Sequence, residues 1–407
     1  MRVRDGWRGS LPNPIAPSEV LGTQRVLEGV LVRSALSFAK RPIGMAVGLG
    51  LTLALVAACG GSSSSESSSA PAAESSTTAS DAPAESAAPA ELIKVTMVQP
   101  WVIQGEEAGQ IAAVREGFFA DEGLEVEIVP GGPDVRAGAL LASGSADFAI
   151  LSPAGVYTNR VQDIPIVGVG GINQADGLIL MCKTSTGIAS FGDLKGKKVG
   201  VWVGGGEAGV QAAAVQAGVP VDEVEWLPQK FSMEEFFQDQ FDCASAMEWN
   251  EKHIVYNEGY KPGETVNELR TADVGIFLPG DSIATLESTI AERPEVVQGV
   301  VSGTLRGWQW TCSSPENQKK AAQYTVDMAP DLDLDLQVIQ VQEMCALIAQ
   351  GPAKEAGSIG VLAPESWQSS ADAALAAGQL ESPADVASSF TDQFVNAVPE
   401  EYKKITW

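Results

Sequence analysis

Residues 92–135 read LIKVTMVQPWVIQGEEAGQIAAVREGFFADEGLEVEIVPGGPDV. Leu92–Val98 alternates and is rich in β-formers, so it predicts a buried strand that Pro100 ends. A helix follows from about Glu106 to Glu116, with acidic residues in its first turn and Gly117 at its end, where the helix dipole and the left-handed cap favour them. Leu124–Val129 alternates apolar with acidic residues and predicts a second strand, which Gly131, Gly132 and Pro133 turn into another helix. Strand, helix and strand within about 40 residues describe a βαβ unit. Trp101 falls at the carboxyl end of the first strand, where open α/β sheets place ligands.

The same pattern continues outward. Ala146–Leu151 predicts a short strand, and Ser152-Pro153 opens a helix to about Arg160. Ile164–Gly170 and Gly177–Cys182 are two more strands, and the apolar pattern breaks at residues 183–187. A second α/β unit then runs through Lys198–Val203, a Gly204-Gly205-Gly206 turn, the Glu207–Ala217 helix, Val224–Leu227, the Met233–Gln240 helix and Ala244–Met247. From about Ala272 the strand-like VGIFL precedes helices at Ser282–Ala291, Pro294–Trp310 and Pro315–Met328, delimited by Pro and by Ser or Asp caps. Alternating strands and helices of this kind predict mostly parallel sheets.

The 407 residues hold 45% hydrophobic and 19% charged residues, a composition suited to a globular protein of two domains. The formal charge of −26 and the lack of a basic patch argue against a nucleic-acid partner. Residues 1–58 carry seven Lys or Arg against three Asp or Glu, so the remaining chain bears −30. Lys40 and Arg41 precede an apolar run, Pro42–Ala58, that ends in Val56-Ala57-Ala58-Cys59. A basic region, an apolar region and small residues before a cut describe a secretory signal. The ending resembles the bacterial lipobox, which implies cleavage before Cys59 and diacylation of its thiol. Residues 60–90 are Ser/Ala/Pro-rich, cannot bury enough apolar surface to offset ordering, and predict a flexible tether.

Chemistry-bearing motifs are sparse. His253 is the one histidine, and no metal-ligand spacing is present. The 204–206 glycines lack the Lys-Ser/Thr of a phosphate loop; their turn either is only a turn or offers free N–H groups to an anionic or carbonyl group. Trp101, Trp202 and Trp249 each fall at or just after the end of a predicted strand, and flat faces from two sides suit a flat ring. Tyr157 is a fourth aromatic candidate, and Gln104, Glu106, Ser152, Asn250 and Glu251 are polar ones, although Ser152 also reads as a helix N-cap. Trp226, Trp308, Trp310 and Trp367 read as core. Four cysteines follow Cys59 and allow three pairings; Cys312–Cys345, on two helices of one lobe, is favoured over the alternative of free thiols.

The opening stretch, with its aromatic after strand one, its A-G and GFFADEGLEVEIVPGG, resembles the solute-binding proteins of ABC importers for thiamine-pyrimidine precursors, riboflavin, nitrate, sulfonates and taurine. ASGSADFAILSPAGVY (142–157), FGDLKGKKVGVW (191–202) and GQLESPADVASSFTDQFV near the end extend the resemblance over roughly residues 92–400. It implies a two-lobed, type II periplasmic-binding-protein-like α/β fold, with two mostly parallel sheets, helices on both faces and two interlobe crossovers, here near 184–190 and 270–276. The expected layout is a signal at 1–58, a lipidated Cys and tether at 59–91, lobe 1 at 92–185, lobe 2 at 186–272 and the rest of lobe 1 at 273–407. The expected ligand residues are Trp101, Gln104, Glu106, Ser152, Tyr157, Trp202, Gly205, Gly206, Trp249 and Asn250, with no cofactor and no metal. The implied partners are a small molecule and ABC permease subunits, for a monomer lipid-anchored on the outer face of the cytoplasmic membrane or in the periplasm. WVIQGEEAG matches the thiamine-precursor branch, which favours a flat nitrogen heterocycle and leaves nitrate, sulfonates and taurine open. The pyrimidine synthases of thiamine biosynthesis resemble the chain too, but carry a His where this chain has Glu107.

Overall fold

Two five-stranded sheets, each interrupted by one strand supplied across the hinge, organise the chain. The computed structural model describes residues 91–407 apart from Pro133, Gly204, Gly205 and Phe231. The expected signal, tether and Cys59 lie outside the described residues, as does Gly205; of the stretch 59–91 only Glu91 is described.

The first sheet runs β2 (Leu124–Val129), β1 (Ile93–Val98), β3 (Phe148–Leu151), β10 (Ser282–Leu286), β4 (Ile166–Gly171). The second runs β7 (Glu225–Pro228), β6 (Lys198–Val201), β8 (Cys243–Met247), β5 (Leu178–Lys183), β9 (Val266–Arg270). The two orders correspond strand for strand. In each, the pairs around β1 and β6 are parallel, whereas β10 and β5 run antiparallel to both neighbours. Four strands of each sheet run one way and one runs against them, and that odd strand is the one arriving from the other lobe.

That exchange corrects two expectations. Leu178–Lys183, expected in lobe 1, is the fourth strand of the second sheet, so the first crossover spans residues 172–177 instead of 184–190. Every residue of β5 is buried, and a strand buried on both faces carries no alternation to say which sheet it joins. On the return, Ser282–Leu286 is strand β10 rather than the start of a helix, and only Glu287–Glu292 is helical there. The preceding VGIFL forms no strand, and the second crossover occupies residues 271–281. Ile283, Ala284 and Thr285 are buried, and β-branched residues suit that setting.

The crossovers are tied to each other. Ile172 N donates to Asp281 O at 2.8 Å, Asp281 N to Asn173 Oδ1 at 2.9 Å and Asp176 N to Leu278 O at 3.1 Å. Two chain segments joined this way bend as one ribbon, which suits a hinge.

Each sheet is sandwiched by helices. The Ala108–Arg115 helix crosses the long Pro294–Cys312 helix through small residues: a Cβ at Gly109 would lie 2.2 Å from Trp308, and one at Gly307 2.2 Å from the Gly109 carbonyl. Trp308 and Trp367 are fully buried, as expected of core residues, while Trp226 and Trp310 are half-buried. Cys312–Cys345 form a disulfide, the pairing the sequence favoured, and Cys182–Cys243 form a second between the paired strands β5 and β8. Among the described residues no helix is long and apolar enough to cross a membrane.

Because the Gly109–Trp308 contact has no slack, Gly109→Ala is expected to cost about 1–3 kcal/mol by overpacking. A denaturant or thermal melt of the variant against the parent checks this; an unchanged midpoint would show that the two helices separate freely.

Candidate functional site: the seam between the two sheets

The carboxyl end of β1 and the carboxyl end of β8 face a common seam, closed on one side by the Leu334–Ile348 helix. After β1, Gln104 leads a tight turn of 3-10 helix, Gly105–Glu107, in which Gln104 N donates to Glu107 Oε2 at 2.9 Å. Gly105 N donates to Gln337 Oε1 (2.6 Å) and Gln340 Oε1 (2.8 Å) on the closing helix. Only glycine fits there, since a Cβ would sit 2.6 Å from that of Gln340. The Gln340 amide then reaches the other lobe, donating to Asn250 Oδ1 at 3.0 Å and, at 3.4 Å, to Gln104 Oε1.

Asn250 starts the Glu251–Asn257 helix. Glu251 accepts from Met247 N and from Asn250 Nδ2, each at 2.9 Å. One turn on, Lys252 Nζ (2.9 Å) and His253 Nε2 (3.0 Å) both meet Glu343 of the closing helix. The hydrogen bond from His253 and the Lys252 ammonium hold the Glu343 carboxyl down at about 2. Trp249 carries the seam inward: although it follows a strand of the second sheet, it is 3% exposed and packs in the core cluster of the first, against Gly177 and Leu347.

The electrostatics of this seam are unusual. Glu106 accepts from Gln104 Nε2 at 2.9 Å, yet burial, with Asp281 and Glu251 nearby, pushes its carboxyl up to about 8. Burial above all, then Glu248 and Asp281, pushes Asp176 on the first crossover up to about 7. Burial alone takes Asp281 on the second crossover to about 6. Glu251 is raised by burial, and Glu107 by burial and by Glu106 beside it. Acids held protonated near neutrality both donate and accept hydrogen bonds, and such displaced groups gather where ligands bind.

The sequence profile of the NMT1/THI5-like family matches residues 104–318. The chain is 30% identical over 324 residues to the riboflavin-binding protein RibY of Chloroflexus aurantiacus, covering 77% of this chain and 89% of that protein. The chain belongs to the NMT1/THI5-like family. It is also 24% identical to the formylaminopyrimidine-binding protein of Halalkalibacterium halodurans (77% and 93% covered), and 21% identical to the 4-amino-5-hydroxymethyl-2-methylpyrimidine phosphate synthase of Legionella pneumophila (55% and 71%). The solved aliphatic sulphonate binding protein SsuA of Escherichia coli superposes with a TM-score of 0.59 at 14% identity, over 74% of this chain and 92% of that one. That likeness shows the type II periplasmic-binding-protein fold.

Within this NMT1/THI5-like chain, the seam brings together Gln104, Glu106, Trp249 and Asn250. Trp101 is half-buried on the loop after β1, its carbonyl accepting from Gly131 N at 2.7 Å. Trp202 occupies the matching place after β6, half-buried, its indole N–H donating at 3.4 Å to Lys230 O, and Gly206 is the N-cap of the Glu207–Gln216 helix. One candidate, Tyr157, sits elsewhere, and Ser152, directly after β3, has a structural role of its own. Tyr157 is buried in the first lobe, its hydroxyl donating to Trp367 O at 2.8 Å and its ring edge-on to Trp367; its place on the inner face of a helix, not the end of β3, decides this. Ser152 accepts from Gly155 N at 3.2 Å and so acts as the N-cap of the Pro153–Arg160 helix.

Reading the sequence missed Asp176 and Asp281, single acids in crossovers with no motif, and Gln337, Gln340 and Glu343. The signal for the glutamines was present: both recur three apart on the apolar face of LDLQVIQVQEMCALI.

The raised acids fix a pH dependence. Glu106, Asp176 and Asp281 titrate above their unfolded values, so their stability contribution is complete below about pH 4 and is lost as pH rises through about 6 to 8. The ligand-free protein is expected to melt progressively lower from pH 5 to pH 9, at up to about 1.4 kcal/mol per pH unit for each extra proton held. Glu106→Gln should flatten that slope; a flat melting profile in the parent would refute the assignment.

Proposed function

We propose that this chain is the solute-binding lipoprotein of an ABC importer. It captures a flat nitrogen heterocycle, riboflavin or a thiamine-type pyrimidine, between its lobes and presents it to membrane permease subunits. The observation that carries this reading is the pair Trp101 and Trp202, at corresponding strand ends of the two sheets, beside a seam of hydrogen-bonding side chains. Aromatic side chains at two strand ends with a few convergent polar groups suit a planar ring, and closure of the hinge expels water from it. Riboflavin and formylaminopyrimidine, which two relatives are named for binding, are rings of this kind. No covalent step, cofactor or metal is invoked. Against the synthase reading, Glu107 stands where the resembling enzymes carry a histidine.

The proposal places the protein outside the cytoplasmic membrane, as a monomer held through diacylated Cys59 and the tether up to residue 91. Cys59→Ala is then expected to move the chain from the membrane to the soluble fraction of its host; retention in the membrane would remove the anchor from this reading.

The ligand is tested by following thermal unfolding of the full-length protein with riboflavin, formylaminopyrimidine, 4-amino-5-hydroxymethyl-2-methylpyrimidine, nitrate, taurine and an alkanesulfonate. A ligand at 100 times its dissociation constant adds about 2.7 kcal/mol. A heterocycle is expected to shift the melt, and Trp101→Ala and Trp202→Ala should each weaken it at least tenfold. A response to the small anions alone would mean that the tryptophans are not the site.

A further inference from the structure

Five carboxyl groups converge on the seam from four segments: Glu106 and Glu107 after β1, Asp176 in the first crossover, Glu251 after β8, and Asp281 just before β10. Among the described residues none of the five forms an ion pair, whereas Glu248 beside them is paired with Arg270 at 2.7 Å and Glu343 with Lys252 at 2.9 Å. No group of acids there has the arrangement of a metal site.

A second observation is independent of charge. The Trp249 indole N–H, near enough to Glu106 to favour its carboxylate, completes no hydrogen bond and is buried. Glu107 Oε1 is also buried and unpartnered, and Gln99, 1% exposed at the end of β1, leaves both amide atoms unpartnered. Buried polar atoms left open are costly and mark where a partner is missing. The unfilled set here contains an N–H donor, one carboxyl oxygen and a two-way amide. It matches the mixed edge of a heterocycle, and nothing in it neutralises an anion.

We propose that the seam is a charge filter: the captured heterocycle is neutral or cationic, turns hydrogen-bond donors toward Glu106, and is rejected once it carries a phosphate. This rests on the heterocycle reading above and narrows it. With Glu106 and Asp176 keeping their protons, the barrier to an added phosphate is the hydration it loses in a dry seam that offers it no cation, with repulsion from Asp281, which is ionised at neutral pH, added to it. Nitrate and sulfonates fall outside the filter for the same reason. Asp281 becomes the residue that sets specificity by charge and Glu106 the one that sets it by hydrogen bonding, with the two tryptophans setting it by shape.

The test titrates the full-length protein by calorimetry with two matched pairs: riboflavin and its 5′-phosphate, and 4-amino-5-hydroxymethyl-2-methylpyrimidine and its phosphate. For whichever pair binds, the phosphate is expected to bind at least a hundredfold more weakly. Asp281→Asn should narrow that gap at least tenfold, whereas Glu106→Gln should weaken both members of the pair alike, with folding checked by circular dichroism. Should Asp281→Asn fail to fold, the ratio in the parent protein decides alone. A phosphate bound as tightly as its parent compound, or a gap that Asp281→Asn leaves unchanged, overturns the filter and leaves the heterocycle reading standing. If neither pair binds and nitrate or taurine does, both fall together.

Discussion

The amide of Gln340 is the joint on which the rest of this molecule depends. Its oxygen accepts the Gly105 N–H and its nitrogen donates to Asn250, so a single buried side chain on one helix holds strand-end turns from both sheets. A buried hydrogen-bond network strengthens in low dielectric and becomes expensive when half-broken. The turn after β1 and the turn after β8 therefore keep their geometry together or lose it together. Gln337 on the same face and Glu343 one turn on extend the joint in both directions. Trp249 completes it by inserting a side chain of the second sheet into the core of the first.

Strand exchange explains why such a joint is needed. Each sheet takes its antiparallel strand from a crossover, so the hinge is not a loose linker but the continuation of β4 into β5 and of β9 into β10. The lobes are joined by the short ribbon in which Ile172, Asn173 and Asp176 are hydrogen-bonded to Asp281 and Leu278, so a rotation of one lobe against the other has to bend it. Asp176 and Asp281 lie on that ribbon and face the seam, so the charge state of the site and the bending of the hinge share the same residues.

Much of this was legible in the sequence, and the reason for each success and failure is physical. The opening βαβ unit has alternation, a proline stop and a glycine cap, all local signals, and each element it predicts is present. The positions of Trp101 and Trp202 at strand ends were legible because alternation and breakers mark where β1 and β6 stop, whereas the burial of Trp249 in the core of the first lobe was not. Membership of β5 was not legible, because a strand buried on both faces reads alike in either sheet. Nor was β10, where a short β-branched run preceding acidic residues reads equally as a helix start. Tyr157 failed because helix phase, not distance from a strand, decides which way a side chain points. The seam itself depends on long-range pairs such as Gly105 with Gln340, separated by 235 residues, and no local pattern encodes those.

Five buried acids without cations would be a poor way to hold two lobes together. Transferring ionised carboxylates from water into a protein interior is costly unless they are paired, and the usual escape is to keep the proton. Glu106 and Asp176 take that escape, with carboxyls displaced upward by burial and by neighbouring acids, and Asp281 goes part of the way through burial alone. Elsewhere the chain pairs its part-buried acids: Glu116 with Lys320, Asp147 with Arg293, Glu122 with Arg306. The contrast is local, so the overall acidity of −26 does not explain it. Polar strain that the surrounding structure tolerates is found where binding relieves it. A ring that turns an acceptor to the Trp249 N–H and a donor to the Glu106 carboxyl would satisfy both at once, converting that cost into affinity for one kind of ligand.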